Sequence, residues 1–283
     1  MAQNLKVLFV VSEAVPYAKT GGLADVAGAL PYALQELGAE VKVLMPYYGQ
    51  IRQKNIPVAT VAEDLEGRLG DAPLTFDLLA PAEEGAPFYF VSRDEFFERS
   101  QLYGTPKGDY FDNLERFSFF SSAVLPVCQK LGFSPDIIHC HDWQASLVPV
   151  FLKYRWMYEG PFAKTKSLLT IHNLAYQGLF LKEKYPLLGL PWSLFALDGL
   201  EYYDKINLLK GGIVFADAVN TVSRGYSKEI QTPEYGYGLE GVLRHRSEVL
   251  FGIVNGVDYE DWNPETDQFI EAPYGPNDLK GKA

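Results

Sequence analysis

The chain has 283 residues, 47% of them hydrophobic and 22% charged, enough apolar material for one large domain or two small ones. A formal charge of -11 excludes nucleic acid as a partner, since phosphate-backbone binding needs an accumulated basic surface, while neutral ligands such as sugars tolerate an acidic one. Two cysteines, Cys128 and Cys140, without CxxC spacing exclude a disulfide framework, and no apolar run approaches the roughly 18 residues of a membrane span. Reducing cytoplasm is the expected compartment.

The first element is the apolar, β-branched run Leu5 to Val11, the pattern of a strand covered on both faces. Leu23, Val26, Ala27, Leu30, Ala33, Leu34 and Leu37 then recur at three- and four-residue spacing, which predicts a helix ending at Gly38. A second strand runs from Glu40 to Met45 and is closed by Pro46. Residues Ala59 to Asp64 and Leu74 to Leu79 read as short strands of a hairpin-like insertion, and Phe88 to Val91 as a further strand. Phe111 to Leu131 is helical by periodicity, with Pro126 expected to kink or divide it.

The central segment continues the alternation. Asp136 to Cys140 predicts a strand, Trp143 to about Tyr158 a helix, and Ser167 to Ile171 another strand. Ile206, Leu209, Ile213, Val214 and Ala216 suggest a helix leading into the strand Ala218 to Val222. From Pro264 onward the pattern fades into Glu, Pro, Gly and Asn. The fold class is therefore α/β, a parallel sheet with helices on both faces. The tail reads as a linker cut short.

In open α/β sheets ligands lie at the carboxyl ends of the strands, and three polar groups fall there. The first is Lys19-Thr20-Gly21-Gly22, between the first strand and its helix. Unpaired N–H groups and the macrodipole at such a helix start favour an anion, glycines let a ligand approach the backbone, and Lys19 adds a mobile positive charge. A Gly-Gly pair in this place is also compatible with a tight turn that needs positive φ. The spacing matches neither the dinucleotide nor the nucleoside-triphosphatase fingerprint. The other two groups are His141-Asp142-Trp143 and His172-Asn173. His139 and His141 have no third ligand at a recognisable spacing, so no metal site is expected. Aromatic residues make up 14% of the chain and many stand in polar segments such as Tyr103-Gly104-Thr105, which suits the C–H faces of carbohydrate rings.

Five runs carry a family likeness: K-T-G-G-L-A-D-V from Lys19, H-C-H-D-W from His139, H-N-L-A-Y-Q-G from His172, Y-G-Y-G-L-E-G from Tyr235, and N-G-V-D-Y-E-D-W-N-P-E-T-D from Asn255. In this order they resemble bacterial glycogen synthases and plant starch synthases. The resemblance implies the amino-terminal half of a GT-B glycosyltransferase and a retaining transfer of glucose to the non-reducing end of an α-1,4-glucan or maltooligosaccharide. It makes residues 1–252 one Rossmann-like domain and 253–283 an interdomain linker. The implied donor is ADP-glucose, sometimes UDP-glucose. It implies no cofactor, a missing carboxyl-terminal domain as the partner that binds the nucleotide, and a plastid stroma in place of cytoplasm for a plant or alga. By itself the chain is then expected to transfer glucose poorly or not at all. A stand-alone, non-catalytic α-glucan-binding protein is the alternative.

Residue by residue, the resemblance implies catalytic roles for His172, Asp142 and Lys19, and donor phosphate and sugar contacts from Lys19, Gly21, Gly22 and Asn173. It implies acceptor contacts from Glu13, Tyr103, Asp109, Asn113 and Trp143. Tyr235, Tyr237 and Glu240 match a run that is structural or lines the acceptor path. One departure is Gly211-Gly212 after Lys210, where relatives often carry Ala, which predicts a looser helix.

Overall fold

A computed structural model describes residues 5–83, 85–156, 160–257 and 262–282. In chain order its strands are β1 (Lys6–Val10), β2 (Glu40–Pro46), β3 (Val58–Leu69), β4 (Ala72–Pro81), β5 (Phe88–Ser92), β6 (Gly104–Thr105), β7 (Gly108–Asp109), β8 (Ile137–His141), β9 (Lys166–Ile171), β10 (Leu179–Leu181), β11 (Glu201–Tyr202), β12 (Lys205–Asn207), β13 (Ala218–Thr221) and β14 (Leu250–Gly252). Nine form one sheet in the order β14-β13-β9-β8-β1-β2-β5-β4-β3. From β14 to β5 every neighbouring pair is parallel. Strand order reverses at β1, which pairs with β2 on one side and with the much later β8 on the other. Such a switch point opens a crevice at the strands' carboxyl ends.

The expected hairpin exists but is not a separate insertion. Strands β3 and β4, with 12 and 10 residues, extend the main sheet by antiparallel pairing on β5, so the sheet is mixed rather than all parallel. Packing explains their length: Phe76 and Leu78 are buried, and Phe76 meets Phe119 edge-on at 5.9 Å. The outer strand carries Glu63, Asp64, Glu66 and Arg68, charges that blunt an open edge.

Proline sets the helix breaks. Asn113–Ser122 and Val124–Lys130 are divided at Ala123, because Pro126 has no N–H to give the Ser122 carbonyl. Likewise Asp142–Ala145 and Leu147–Tyr154 are divided at Ser146, with Pro149 unable to bond back to Ala145. This helix stops at Tyr154, short of the expected end at Tyr158, a position outside the described residues. Ile206 belongs to β12 and not to a helix. The helix Leu208–Phe215 starts after Asn207, whose side chain accepts the Lys210 N–H at 2.9 Å, an N-cap legible in the sequence but overlooked. Gly211 and Gly212 do not loosen it. A Cβ would lie 2.9 Å from Leu200 Cγ at Gly211 and 2.7 Å from Ser146 Cβ at Gly212, so the glycines allow close packing instead. The short strands β6, β7, β10, β11, β12 and β14 lack a readable alternation and were not expected. Among the described residues no helix is long and apolar enough to cross a membrane.

Candidate functional site

Five neighbouring strands, β14, β13, β9, β8 and β1, run side by side with their carboxyl ends on one edge. Just past each end stands a residue that lines one cleft of about 540 Å³: Asn255, Val222, His172, Asp142 and Glu13 respectively. Gly21 and Gly22, at the start of the helix Gly22–Glu36, line it from one side, and Tyr103 and Asp109 from the β6–β7 hairpin. Trp143 and Asn173 complete the set of expected residues on its wall. Lys19 and Asn113 do not line it. The Lys19 ammonium pairs with Asp25 Oδ1 at 2.5 Å, half-exposed beside the helix start. Asn113 is buried behind the wall, where its Nδ2 donates to the Tyr103 carbonyl at 2.8 Å and its Oδ1 accepts from Arg116 Nη1 at 2.7 Å. Its place in the structure is a brace for Tyr103, which itself donates to Ser12 Oγ at 2.7 Å.

The glycine pair is not a tight turn. Gly21 is extended, with φ -148, and neither glycine has positive φ. A Cβ on Gly22 would meet nothing within 4 Å, and one on Gly21 only Glu13 Oε1 at 3.9 Å. Backbone geometry therefore does not demand glycine here, while the missing side chains leave the helix-start amides accessible from the cleft. Glu13 partly occupies those amides. Its carboxylate accepts the backbone N–H groups of Thr20 and Gly21 and, at 3.1 Å, the Thr20 hydroxyl, yet burial still raises its pKa.

Asp142 holds the centre. It has φ 55, a left-handed backbone that Asp tolerates better than most residues, at the joint between β8 and the following helix. Its Oδ1 accepts the His172 N–H at 2.7 Å, and its carboxylate also takes the Asn173 N–H, tying the ends of β8 and β9 together. Burial, outweighing these two donors and helped by Glu13, pushes Asp142 up to about 7. The three nearby histidines go the other way: burial lowers His139 to about 3 and His172 to about 4, and lowers His141 well below the usual range. At neutral pH these imidazoles are uncharged. Among the described residues no three His, Cys, Asp or Glu groups stand together in an arrangement that could hold a metal ion. Cys128 and Cys140 are buried free thiols.

Sequence reasoning missed Thr20, Leu23, Gln144, Tyr176, Val222 and Asn255 on the cleft wall. Tyr176 and Asn255 stood inside the quoted runs, and Val222 closed an expected strand, so strand-end position alone could have nominated them. Residues 258–261 of the last run lie outside the described residues. The cleft thus combines helix-start amides, a carboxyl group that titrates near neutrality, a neutral imidazole and aromatic faces. Such a wall suits a polar, hydroxyl-rich ligand carrying an anionic group.

Comparison with known proteins gives the same direction. Residues 6–245 match the family model described as the starch synthase catalytic domain. The chain is 50% identical over 282 residues to the glycogen synthase of Myxococcus xanthus and 49% identical over 286 residues to that of Koribacter versatilis, covering 99% of this chain in both cases. It spans only 59% and 57% of those two proteins. Among solved structures, the catalytic domain of starch synthase IV from Arabidopsis thaliana, bound to ADP and acarbose, superimposes with a TM-score of 0.87 at 33% identity, over 99% of this chain and 57% of that one. The chain belongs to the starch synthase catalytic-domain family of glycosyltransferases.

Proposed function

We propose that this chain is the amino-terminal, acceptor-side half of a cytoplasmic retaining glucosyltransferase that moves glucose from ADP-glucose, or UDP-glucose, to the non-reducing end of an α-1,4-glucan. The observation that carries this reading is the convergence of Glu13, Asp142, His172, Asn173, Gly21 and Gly22 on one cleft at the sheet's carboxyl edge. The glycogen synthases it resembles and the starch synthase neighbour bound to ADP and acarbose support the substrate class. Residues 1–252 are the domain and 253–283 the start of a linker to a nucleotide-binding half, consistent with the 57 to 59% of each relative that the chain spans.

In this reading the helix-start amides and Lys19 take the departing diphosphate, Lys19 after leaving Asp25. His172 and Asn173 face the transferred sugar, Asp142 holds both strand ends and a sugar hydroxyl, and Glu13, Tyr103, Asp109 and Trp143 border the acceptor. Asn113 acts through Tyr103. The chemistry is front-face displacement, in which the leaving phosphate takes the acceptor proton, so the protein needs preorganised donors more than a nucleophile. The test is glucose transfer from ADP-glucose to maltooligosaccharide. The chain joined to its family's second half should turn over, H172A should lose at least about 10²-fold, as for loss of one preorganised donor, and the 283-residue chain alone should be nearly inactive. Turnover by the chain alone at a two-domain rate would sink the half-site reading. Glucan binding without turnover in the joined protein would favour the non-catalytic binder.

A further inference from the structure

Behind the cleft wall the three neutral imidazoles form a line. His139 and His141 have ring centroids 4.1 Å apart, His141 and His172 stack at 5.3 Å with planes 26° apart, and Phe9 packs on both inner rings. His139 and His141 are alternate residues of β8, on one face of the strand, while His172 follows β9, so strand pairing sets their spacing. At the inner end, Thr170 Oγ1 donates to Asn220 Oδ1 at 2.5 Å and lies 2.6 Å from His139 Nε2. With its proton given to Asn220, the hydroxyl accepts from His139, which therefore carries its proton on Nε2.

At the outer end His141 Nδ1 and His172 Nε2 are 2.9 Å apart. Two neutral imidazoles meeting nitrogen to nitrogen need one donor and one acceptor. The deciding group is His141 Nε2, which is buried and has no hydrogen-bond partner among the described residues. A proton there would be an orphaned buried donor, which is rarer and costlier than a bare lone pair. The proton consequently sits on Nδ1 and is donated to His172.

We propose that His141 is a positioning residue whose Nδ1–H holds His172 in the tautomer protonated on Nδ1, so that the cleft-lining ring keeps that N–H for a hydroxyl or phosphate oxygen. Without this contact His172 is free to take the Nε2–H form that an unconstrained imidazole favours, and the donor is lost. Only the consequence for a bound sugar rests on the glucosyltransferase reading of the cleft; the tautomer assignment stands on the geometry of His141 alone.

The experiment uses the 283-residue chain labelled with ¹⁵N-histidine, which contains just four histidines, the fourth being the exposed His245. Ring-nitrogen spectra at neutral pH should give His172 a protonated Nδ1 and a bare Nε2, and His139 the reverse. In H141F the His172 pattern should move to protonated Nε2, while H141N, whose amide can occupy the place of Nδ1–H, should restore the wild-type pattern. A wild-type His172 protonated on Nε2 overturns the proposal without any variant, so a failure of H141F to fold does not protect it. An unchanged His172 pattern in folded H141F also overturns it. Neither result touches the transfer assay, which tests the function separately.

Discussion

Two aspartates at opposite edges of the same sheet separate structure from site. Asp217 precedes β13 on the amino edge; Asp142 follows β8 on the carboxyl edge. Burial pushes both carboxyl groups up. At Asp217 the Ser167 N–H and hydroxyl and the Lys153 ammonium group, at 2.9, 3.0 and 3.0 Å, outweigh it and bring the group down to about 2, with the Lys166 ammonium 3.2 Å away. At Asp142 two backbone donors without a cation leave it at about 7. An open depression of about 640 Å³, comparable to the cleft, also lies beside Asp217, so size does not select the site. Compensation does: a fully paired acid ties strands together, whereas an undercompensated one is kept where a ligand can complete its surroundings.

Acid should break this contrast with the largest effect. His139, His141 and His172 are depressed bases, so between their folded values and the ordinary 6.5 the unfolded chain binds more protons than the folded one, and stability is lost as pH falls below 6.5. Asp142, raised from 3.8 to about 7, opposes them: its protonated folded form makes stability fall as pH rises over that window. Three histidines against Asp142, with the raised Glu13 opposing in the same sense, leave an uptake of about one to two protons on unfolding near pH 5, or about 1.5 to 2.5 kcal/mol lost per pH unit below 6. Denaturant titrations at pH 6.5 and 5 measure it. A flat profile would mean that the imidazoles are not buried and neutral.

Next in size is the amino edge itself. D217A should cost about 1 to 2 kcal/mol at pH 7, the worth of holding a partly exposed carboxyl near 2 less its screening by solvent, with that contribution fading as pH drops through the acid range. D142N should cost less than about 1 kcal/mol, because the amide oxygen still accepts the His172 N–H and Asn tolerates φ 55. It should instead steepen the acid profile by about one proton near pH 5, since Asp142 no longer opposes the histidines. Equal losses from the two variants in denaturant midpoints would erase the distinction between the edges.

How much of this was legible depends on what each feature needs. Strand β1, the helix Gly22–Glu36 and β9 follow from local apolar period, and the strand-end rule then placed Gly21, Gly22, Asp142 and His172 on one edge before any contact was known, whereas Glu13 was nominated only by the family likeness. The antiparallel arm was readable as a hairpin but not as part of the sheet, because Phe76 on Phe119 is a contact across 43 positions that no window contains. Lys19 and Asn113 show the same limit at the site. Their residue types suited the cleft, and Asp25 and Arg116 stand only six and three positions away, but whether each side chain turns to that neighbour or to the cleft is set by the surrounding fold. The left-handed Asp142 and the line of imidazoles likewise need β8 and β9 in register.

The smallest effect tests the glycine loop most cleanly. Gly22 opens its helix, its φ is not positive, and a Cβ would touch nothing within 4 Å, so alanine fits without strain. G22A should therefore stabilise the fold by about 0.5 kcal/mol through the unfolded chain, a rise of roughly 1 to 2 °C in melting temperature. The same methyl group is added where Gly22 lines the cleft, so ADP binding or transfer in the joined protein should fall about tenfold, a loss of about 1.4 kcal/mol. Stability and binding moving in opposite directions is the signature of a glycine kept for a ligand. If melting temperature drops instead, the loop needs glycine for its own folding; if binding is unchanged, the diphosphate lies elsewhere, and the anion site at the helix start is lost with it.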